Sequence, residues 1–259
     1  MTHLMVLYRK EMAEMIRNYK ILWIPIVFVL LGVTQPVSSY YMPQILDTFG
    51  GLPEGTILEM PLPTGEEVLM NVLSNYGMLG VLVLVLSGMG IVSAERQSGV
   101  AGMVMIKPVP YSSYILSKWA GLVTVTLISL GIGYVASWYY TSLLIEPVAF
   151  ERIFQSVAIY SVWLVFVVTM TLFFSTIMKG NGSVAFVTIF VVFAISTITA
   201  ILGKYMKWSP ATMTDFTGQV LLSGELESSF LLAFIITIAI IIVVLISSIQ
   251  IFKQKELLG

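Results

Sequence analysis

Six apolar runs, each long enough to cross a lipid bilayer, constrain this chain more than any other feature of its sequence. A helix that crosses the hydrocarbon core needs about 20 mostly apolar residues. Such runs occupy residues 21–41, 71–93, 119–141, 153–178, 183–203 and 229–252. Helices satisfy all their backbone polar groups internally, and the alternating pattern of a membrane β-barrel is not visible. The sequence therefore predicts an all-α integral membrane protein with six transmembrane helices.

The composition narrows the class of function. Hydrophobic residues make up 58% of the chain and charged residues 10%, against about 45–50% and 25% in soluble domains. Residues 1–259 are therefore expected to form a single transmembrane domain without room for a globular enzyme domain. The chain has no cysteine and one histidine, so we expect no metal site and no catalytic residue. A net charge of -1 predicts no nucleic-acid partner.

The basic residues predict how the chain is oriented. Ten of the thirteen lysines and arginines fall on one side of the six spans, and ten of the fourteen acidic residues fall on the other. Basic connections stay in the cytoplasm. The sequence thus predicts a multi-pass protein of the cell (plasma) membrane, with both termini and the segment 94–118 in the cytoplasm. Residues 42–70 form an external loop, and residues 204–228 form an external segment that could re-enter the membrane.

Residues 1–20 have the pattern of an amphipathic interfacial helix. At about 100° per residue, an apolar stripe runs along one face and a basic face lies opposite. The apolar stripe consists of Leu4, Tyr8, Met12, Met15 and Tyr19. The basic face consists of Arg9, Lys10, Arg17 and Lys20. Two interpretations remain open, a lipid anchor on anionic membrane and a docking element for a partner protein.

The cytoplasmic segment between spans two and three carries the functional argument. It begins Glu95-Arg96-Gln97-Ser98-Gly99, continues through an apolar turn to Lys107-Pro108, and reaches Lys118 at the foot of the third span. The proline stops the helix and returns the chain toward the membrane. An ordinary hairpin anchored by its charges would look similar.

This order of residues, with six spans and cytoplasmic termini, resembles the coupling helix of ABC type-2 exporter permeases. The resemblance implies that the chain is the permease subunit of an ATP-driven exporter and that a second copy of itself completes the path. It implies a separate ABC ATP-binding subunit, which would hold ATP and magnesium while this chain holds no cofactor. The residues it implies for coupling are Glu95, Arg96, Gly99, Pro108 and Lys118, with Arg9, Lys10 and Arg17 contacting the ATPase or lipid.

The spans themselves supply only neutral polar residues for a path. No charged residue falls inside the six runs as drawn, and no nucleotide-binding motif is visible, so ATP hydrolysis is expected on the partner chain. Candidate path-lining residues are Asn75, Thr169, Ser175, Ser196 and Thr199. Helix packing is the commoner role of such side chains. An amphipathic or lipid-like cargo suits these spans better than a bare ion.

A different class of function also fits the sequence. The chain could be a membrane scaffold or sensor that binds a ligand or peptide outside the cell without transporting it. A continuous polar lining across the spans would favour transport, and a fully packed interior would favour the scaffold or sensor.

Overall fold

The computed structural model describes residues 3–49, 63–100, 102 and 109–257. Within these ranges, ten α-helices and one π-helical turn have defined bounds, and no strand is present. In chain order the α-helices are α1 (His3–Arg17), α2 (Lys20–Phe49), α3 (Gly65–Asn75), α4 (Val81–Gly88), α5 (Ser93–Gln97), α6 (Tyr111–Leu144), α7 (Phe150–Ile177), α8 (Asn181–Ile201), α9 (Thr212–Ser223) and α10 (Phe230–Leu257). The π turn (Tyr76–Gly80) lies between α3 and α4.

The six predicted spans are confirmed among the described residues. Six stretches are long and apolar enough to cross a membrane, namely Lys20–Ile45, Gly65–Gln97, Tyr111–Leu144, Phe150–Ile177, Asn181–Ile201 and Phe230–Lys255. The second and third are longer than their apolar runs, because the helices continue into polar residues at the bundle ends. At 1.5 Å per residue α6 is about 51 Å long, well above the ~30 Å hydrocarbon thickness. This extension brings Glu95 and Lys118 into the spanning segments.

The spans differ in how deeply they are buried. The most apolar window of α7 is 56% buried and that of α6 is 50% buried, whereas only 22% of the α10 window is buried. Phe186 and Phe190 on α8 and Ile235 on α10 are exposed. Exposed apolar side chains on these outer helices suit contact with lipid tails, which are as apolar as the side chains themselves. The centre of the bundle is therefore α6 and α7.

Helices α2 and α6 cross closely because two glycines face each other. A Cβ atom added to Gly32 would lie 2.8 Å from the Gly133 carbonyl oxygen, and one added to Gly133 would lie 2.9 Å from the Phe28 carbonyl carbon. The Tyr76 hydroxyl fills the remaining space and donates a hydrogen bond to the Phe28 carbonyl at 2.8 Å. Small residues at such crossings allow backbones in membrane helices to approach each other.

The second span is interrupted between α4 and α5, and a serine on α7 satisfies the freed backbone groups. The Ser175 hydroxyl donates to the Met89 carbonyl at 2.9 Å and accepts from the backbone N–H groups of Val92 and Ser93 at 3.1 and 3.0 Å. Lys20 donates to the Ser87 carbonyl at 2.7 Å. Backbone that leaves helical geometry inside a membrane needs partners of this kind. The break is thus a stabilised feature that sets the direction of α5.

Helix α9 folds back onto the bundle. It has 12 residues, too few to span the hydrocarbon core, and it buries Met213, Phe216 and Leu221 against α7 and α3. It ends at Gly224, whose φ of 74° is the left-handed conformation that favours glycine. We call the end of the bundle that holds α1, α5 and the last turn of α10 the terminal end, and the end that holds α9 the opposite end. The placement of residues 204–228 relative to the bilayer stays a prediction.

Candidate functional site

Four charged side chains meet at the terminal end of the bundle, and we call Lys10, Glu11, Glu95 and Lys118 the ion cluster. The Lys118 ammonium lies 3.0 Å from Glu11 Oε1 and 2.9 Å from Glu95 Oε2. The Lys10 ammonium lies 2.7 Å from Glu95 Oε1 and 3.2 Å from Glu11 Oε1. Each lysine therefore bridges both carboxylates. The cluster joins α1, α5 and α6, three elements that are distant in sequence.

The ion cluster is buried on the side of α6. Lys118 is 1% exposed and Glu11 is 4% exposed. The Tyr114 hydroxyl donates to Glu95 Oε2 at 2.5 Å, and the Lys118 ammonium lies 5.0 Å from the centre of the Tyr114 ring. Breaking a buried ion pair by removing one partner costs about 3–5 kcal/mol, because the remaining charge is left unpaired. The relative positions of α1, α5 and α6 are therefore coupled.

Helix α1 reaches the cluster because α6 presents a glycine to it. A Cβ atom added to Gly121 would lie 3.2 Å from the Met15 terminal carbon and 3.5 Å from Glu11 Cβ. One turn further along α6, the Thr124 hydroxyl is hydrogen-bonded to the Tyr8 hydroxyl at 3.0 Å. Part of the apolar stripe predicted for residues 1–20 thus packs on α6. Its proposed contact with lipid or a partner stays a prediction.

Charge around the cluster is nearly balanced. Carboxylate oxygens of Glu11, Glu14 and Glu95 lie within 4.8 Å of one another, a spacing that by itself would suit a metal ion. The ammonium groups of Lys10 and Lys118 already supply positive charge there. Partial burial opposes the charged form of Lys10, but its hydrogen bond to Glu95 and the three nearby carboxylates outweigh burial and raise the pKa of Lys10 above its usual value. The arrangement is therefore an internal ion network.

A polar cavity opens beside the ion cluster. Its volume is about 370 Å³, and its walls include Glu14, Asn18, Lys20, Trp23 and Asn181. The Asn181 amide oxygen accepts a hydrogen bond from the Ser93 hydroxyl at 2.7 Å. Glu11, Glu95 and Lys118 of the ion cluster also line this cavity.

Helix α5 is tied to the neighbouring helices by its polar residues. Arg96 donates to the Thr176 carbonyl at 3.1 Å, and Lys255 donates to the same carbonyl at 3.3 Å. Cations at the carbonyl end of a helix are favourable, here at the end of α7. Gln97 donates to the Lys179 carbonyl. Movement of α5 would therefore displace side chains of α1, α6, α7 and α10.

The tip that follows α5 projects from the bundle. We define the tip as Ser98, Gly99 and Val100, all of which are exposed. Gly99 has a φ of 75°, and no atom of the described residues lies within 4 Å of a Cβ added there. A positive φ costs glycine little and other residues more, so glycine suits this turn. The tip, which directly follows α5, is therefore exposed and available for binding.

The structure separates the residues predicted for coupling. Glu95 and Lys118 face inward and meet in the ion cluster, Arg96 binds the end of α7, and only Gly99 is on the tip. Pro108 lies outside the described residues. Of the residues predicted to contact the ATPase or lipid, Arg9 and Arg17 are exposed, whereas Lys10 belongs to the ion cluster.

The five candidate path-lining residues do not share one surface. Thr169 accepts a hydrogen bond from Trp119 at 2.8 Å, and Thr199 is hydrogen-bonded to Ser209 at 2.7 Å. Ser175 holds the break before α5. Asn75 is half-buried near the π turn, and Ser196 lines a groove at the opposite end. Three of the five thus serve helix packing within the chain.

Sequence reasoning missed Glu11 and Tyr114. A signal for Glu11 was present, because it falls between Tyr8 and Met15 inside the apolar stripe of α1 rather than on the basic face. A charged residue on an otherwise apolar face indicates a buried partner. Tyr114 gave no comparable signal, since a tyrosine near a span end is an ordinary interfacial residue.

One family model and one known relative match this chain. The model of the family described as "Protein of unknown function (DUF2705)" matches residues 58–258. The uncharacterized transmembrane protein YxlG of Bacillus subtilis strain 168 is 34% identical over 253 residues, which cover 98% of each chain. Its description as transmembrane agrees with the six spans.

The matched family corrects the resemblance to ABC type-2 exporter permeases. That family assignment is wrong, because the family model that matches is DUF2705. The pattern that suggested it is degenerate. An acid–base pair, a glycine that ends a helix and a following proline suit a short interfacial hairpin in many multi-pass proteins.

Proposed function

This chain belongs to the DUF2705 family, and we propose that it is the membrane-spanning subunit of a transport complex driven by a separate cytoplasmic subunit that hydrolyses ATP. The observation that carries the proposal is the position of Glu95. It belongs to a five-residue helix, α5, yet it pairs with the half-buried Lys10 of α1 and the buried Lys118 of α6. A partner bound to the tip would thereby act on several spans at once.

In this proposal, the residues that bind the partner differ from the residues that pass its movement on to the spans. The tip offers Val100, which is 37% exposed, and the exposed backbone of Gly99, where no described atom lies within 4 Å of an added Cβ. Glu95 and Arg96, immediately before the tip, bind inside the protein. A partner would therefore bind Ser98, Gly99 and Val100. The side chains of Glu95 and Arg96 would convert its movement into displacement of α1, α6 and α7.

The charge distribution supports a cytoplasmic partner. Ten of the thirteen basic residues are expected on the side of the terminal end, and such residues favour the cytoplasm. ATP would be available to the partner there, with magnesium bound by that partner. Exposed apolar faces on α2, α8 and α10 leave surface for lipid and for a second copy of the chain.

Orientation can be tested directly because the chain has no cysteine. We expect Ser98→Cys, on the tip, to react with an impermeant maleimide only after the cells are permeabilised. Ser228→Cys, exposed at the opposite end, should react in intact cells. The reverse pattern would place the tip outside the cell and contradict a cytoplasmic ATPase.

The docking surface is tested by charge substitution. We expect Val100→Asp to reduce recovery of an ATP-hydrolysing partner at least tenfold when the tagged chain is purified in mild detergent, because a charge would be buried in the interface. The matched control is Leu226→Asp, which changes an apolar residue 42% exposed at the opposite end. Partner recovery that is equal in both variants would reject the tip as the docking surface.

The packed interior favours a second candidate function. Thr169 and Ser175 are fully buried and bonded within the protein, as expected for a scaffold or sensor without a path. The same purification distinguishes the two. A stoichiometric partner with ATPase activity supports the transport subunit, whereas the chain recovered without nucleotide hydrolysis supports the scaffold or sensor.

A further inference from the structure

A groove of about 620 Å³ opens at the opposite end of the bundle, remote from the ion cluster. It lies between the π turn and α8, with α7 as its floor and α9 at its outer end. Leu73, Met78, Trp163, Val192 and Phe193 make most of its surface apolar. Sites for small organic ligands in proteins are typically of about 300–1,000 Å³ and mostly apolar, with a few placed polar groups.

The walls of the groove are built from irregular structure that brings an aromatic floor close to the surface. The π turn places Gly77 so that an added Cβ would lie 3.5 Å from the Tyr160 hydroxyl. That hydroxyl donates to the Leu73 carbonyl at 3.0 Å, which fixes the floor against α3. Single π turns inside α-helices are frequent at functional sites. The groove is therefore a built cavity with defined walls.

One carboxylate at the outer end of the groove lacks a partner. Asp215, in the first turn of α9, is exposed to the groove, and its carboxylate makes no ion pair or hydrogen bond with any other residue that the structure describes. Desolvation by the surrounding protein atoms raises its pKa. A cation placed beside it would favour the charged form.

Three other acidic residues at this end of the protein have partners. Glu66 pairs with Arg152 at 3.2 Å, and Glu227 pairs with Lys207. Glu67 completes the capping box at the start of α3. These contacts also engage two of the nearby cations. The charge that would complement Asp215 is therefore best supplied by a molecule in the groove.

We propose that this groove binds a cationic amphiphile, whose alkyl chain lies between the π turn and α8 and whose ammonium group pairs with Asp215. The apolar walls suit a single alkyl chain, and the carboxylate at the outer end suits its ammonium group. A bare cation would leave the apolar walls unused, and a neutral lipid would leave the carboxylate unpaired. Its role as a cargo site rests on the proposed function, whereas binding itself needs no partner.

The test measures binding of radiolabelled dodecyltrimethylammonium to the purified full chain in phosphatidylcholine nanodiscs, with empty nanodiscs as background. We expect Asp215→Asn to weaken binding at least tenfold. Glu225→Gln removes an exposed carboxylate outside the groove and should leave binding unchanged. Ser196→Trp, which fills the groove without changing charge, should abolish binding.

Several outcomes would overturn the proposal. Equal affinity of wild type and Asp215→Asn for the probe would show that Asp215 does not pair with it. Equal losses of affinity in Asp215→Asn and Glu225→Gln would show that the general negative surface charge attracts the probe. Competition by dodecanol as strong as that by the ammonium probe would show recognition of the chain alone. Displacement of the probe by phosphatidylethanolamine in the nanodisc would assign the groove to a membrane lipid. Because no partner or ATP is present, failure here is distinguishable from failure of the proposed function.

Discussion

Replacing Lys118 with methionine is expected to lower the free energy of unfolding by about 3–5 kcal/mol, because the buried Glu11 and the largely buried Glu95 then lose their shared counter-charge. Lys118 is 1% exposed and lies 3.0 and 2.9 Å from Glu11 and Glu95. Lys10 alone would remain to balance both. The measurement is an unfolding titration with sodium dodecyl sulfate from mixed micelles, followed by tryptophan fluorescence.

The control for this substitution is Lys253→Met near the end of α10. Lys253 is exposed, and surface substitutions of this kind change stability by about 0.5 kcal/mol or less. A Lys118→Met protein as stable as Lys253→Met would mean that water or lipid head groups solvate the cluster and that it does not hold α1, α5 and α6 together.

A variant that removes the two carboxylates together with Lys118 distinguishes a role of the ion cluster in stability from a role in passing on the partner's movement. In Lys118→Met combined with Glu11→Met and Glu95→Met, no carboxylate of the cluster is left unpaired, and Lys10 keeps its ion pair with Glu14 at 3.4 Å. Replacing buried ion pairs by hydrophobic residues of similar volume is often close to neutral in stability. We expect this variant to recover most of the lost stability and still to bind a partner through the tip. If the cluster transmits movement, its transport would remain defective, whereas full transport would assign the cluster to stability alone.

The spans could be predicted from sequence because hydropathy is a local property. Each predicted run is inside or nearly coincident with one of the six spanning stretches of the structure. The ends were harder, since α6 begins at Tyr111 and continues through polar residues to Lys118 before its apolar run. Hydropathy does not detect a polar helical turn whose charges are neutralised by another element.

The site could be predicted only in pieces. Lys10, Glu95 and Lys118 were each singled out from the sequence, but as separate surface contacts. Their meeting in one buried cluster depends on how α1 packs against Gly121 and on the break that Ser175 stabilises before α5. Neither tertiary contact leaves a periodic signal in the sequence. The place of Glu11 on the apolar stripe of α1 indicates a buried partner, but it does not identify that partner as Lys118.

Glycines show the same limit of sequence reasoning. The pair Gly131 and Gly133 suggests close helix approach, yet the two residues have opposite environments. A Cβ on Gly131 would meet no atom of the described part of the chain within 4 Å, whereas one on Gly133 would meet the Tyr76 hydroxyl at 2.7 Å and Phe28 Cβ at 2.8 Å. Spacing alone does not tell which member of such a pair faces the neighbouring helix.

The second large expected effect follows from that difference. Gly133→Ala should lower the free energy of unfolding by about 1–3 kcal/mol, the usual cost of overpacking, because α2 and α6 must separate to admit the methyl group. Gly131→Ala adds the same methyl group to the same helix in open space and should leave stability unchanged or raise it by up to about 1 kcal/mol through helix propensity. Both variants can be measured in the same denaturation titration.

A third variant locates the source of the strain. Removing the Tyr76 hydroxyl in Gly133→Ala/Tyr76→Phe relieves the contact at 2.7 Å, but the Phe28 carbonyl carbon would still lie 2.9 Å from the added methyl group. Backbone cannot move aside as the end of a side chain can, so we expect little rescue. Full rescue by Tyr76→Phe would mean that the hydroxyl, rather than the close approach of α2 and α6, makes Gly133 necessary, and equal stability of Gly133→Ala and Gly131→Ala would reject the close crossing itself.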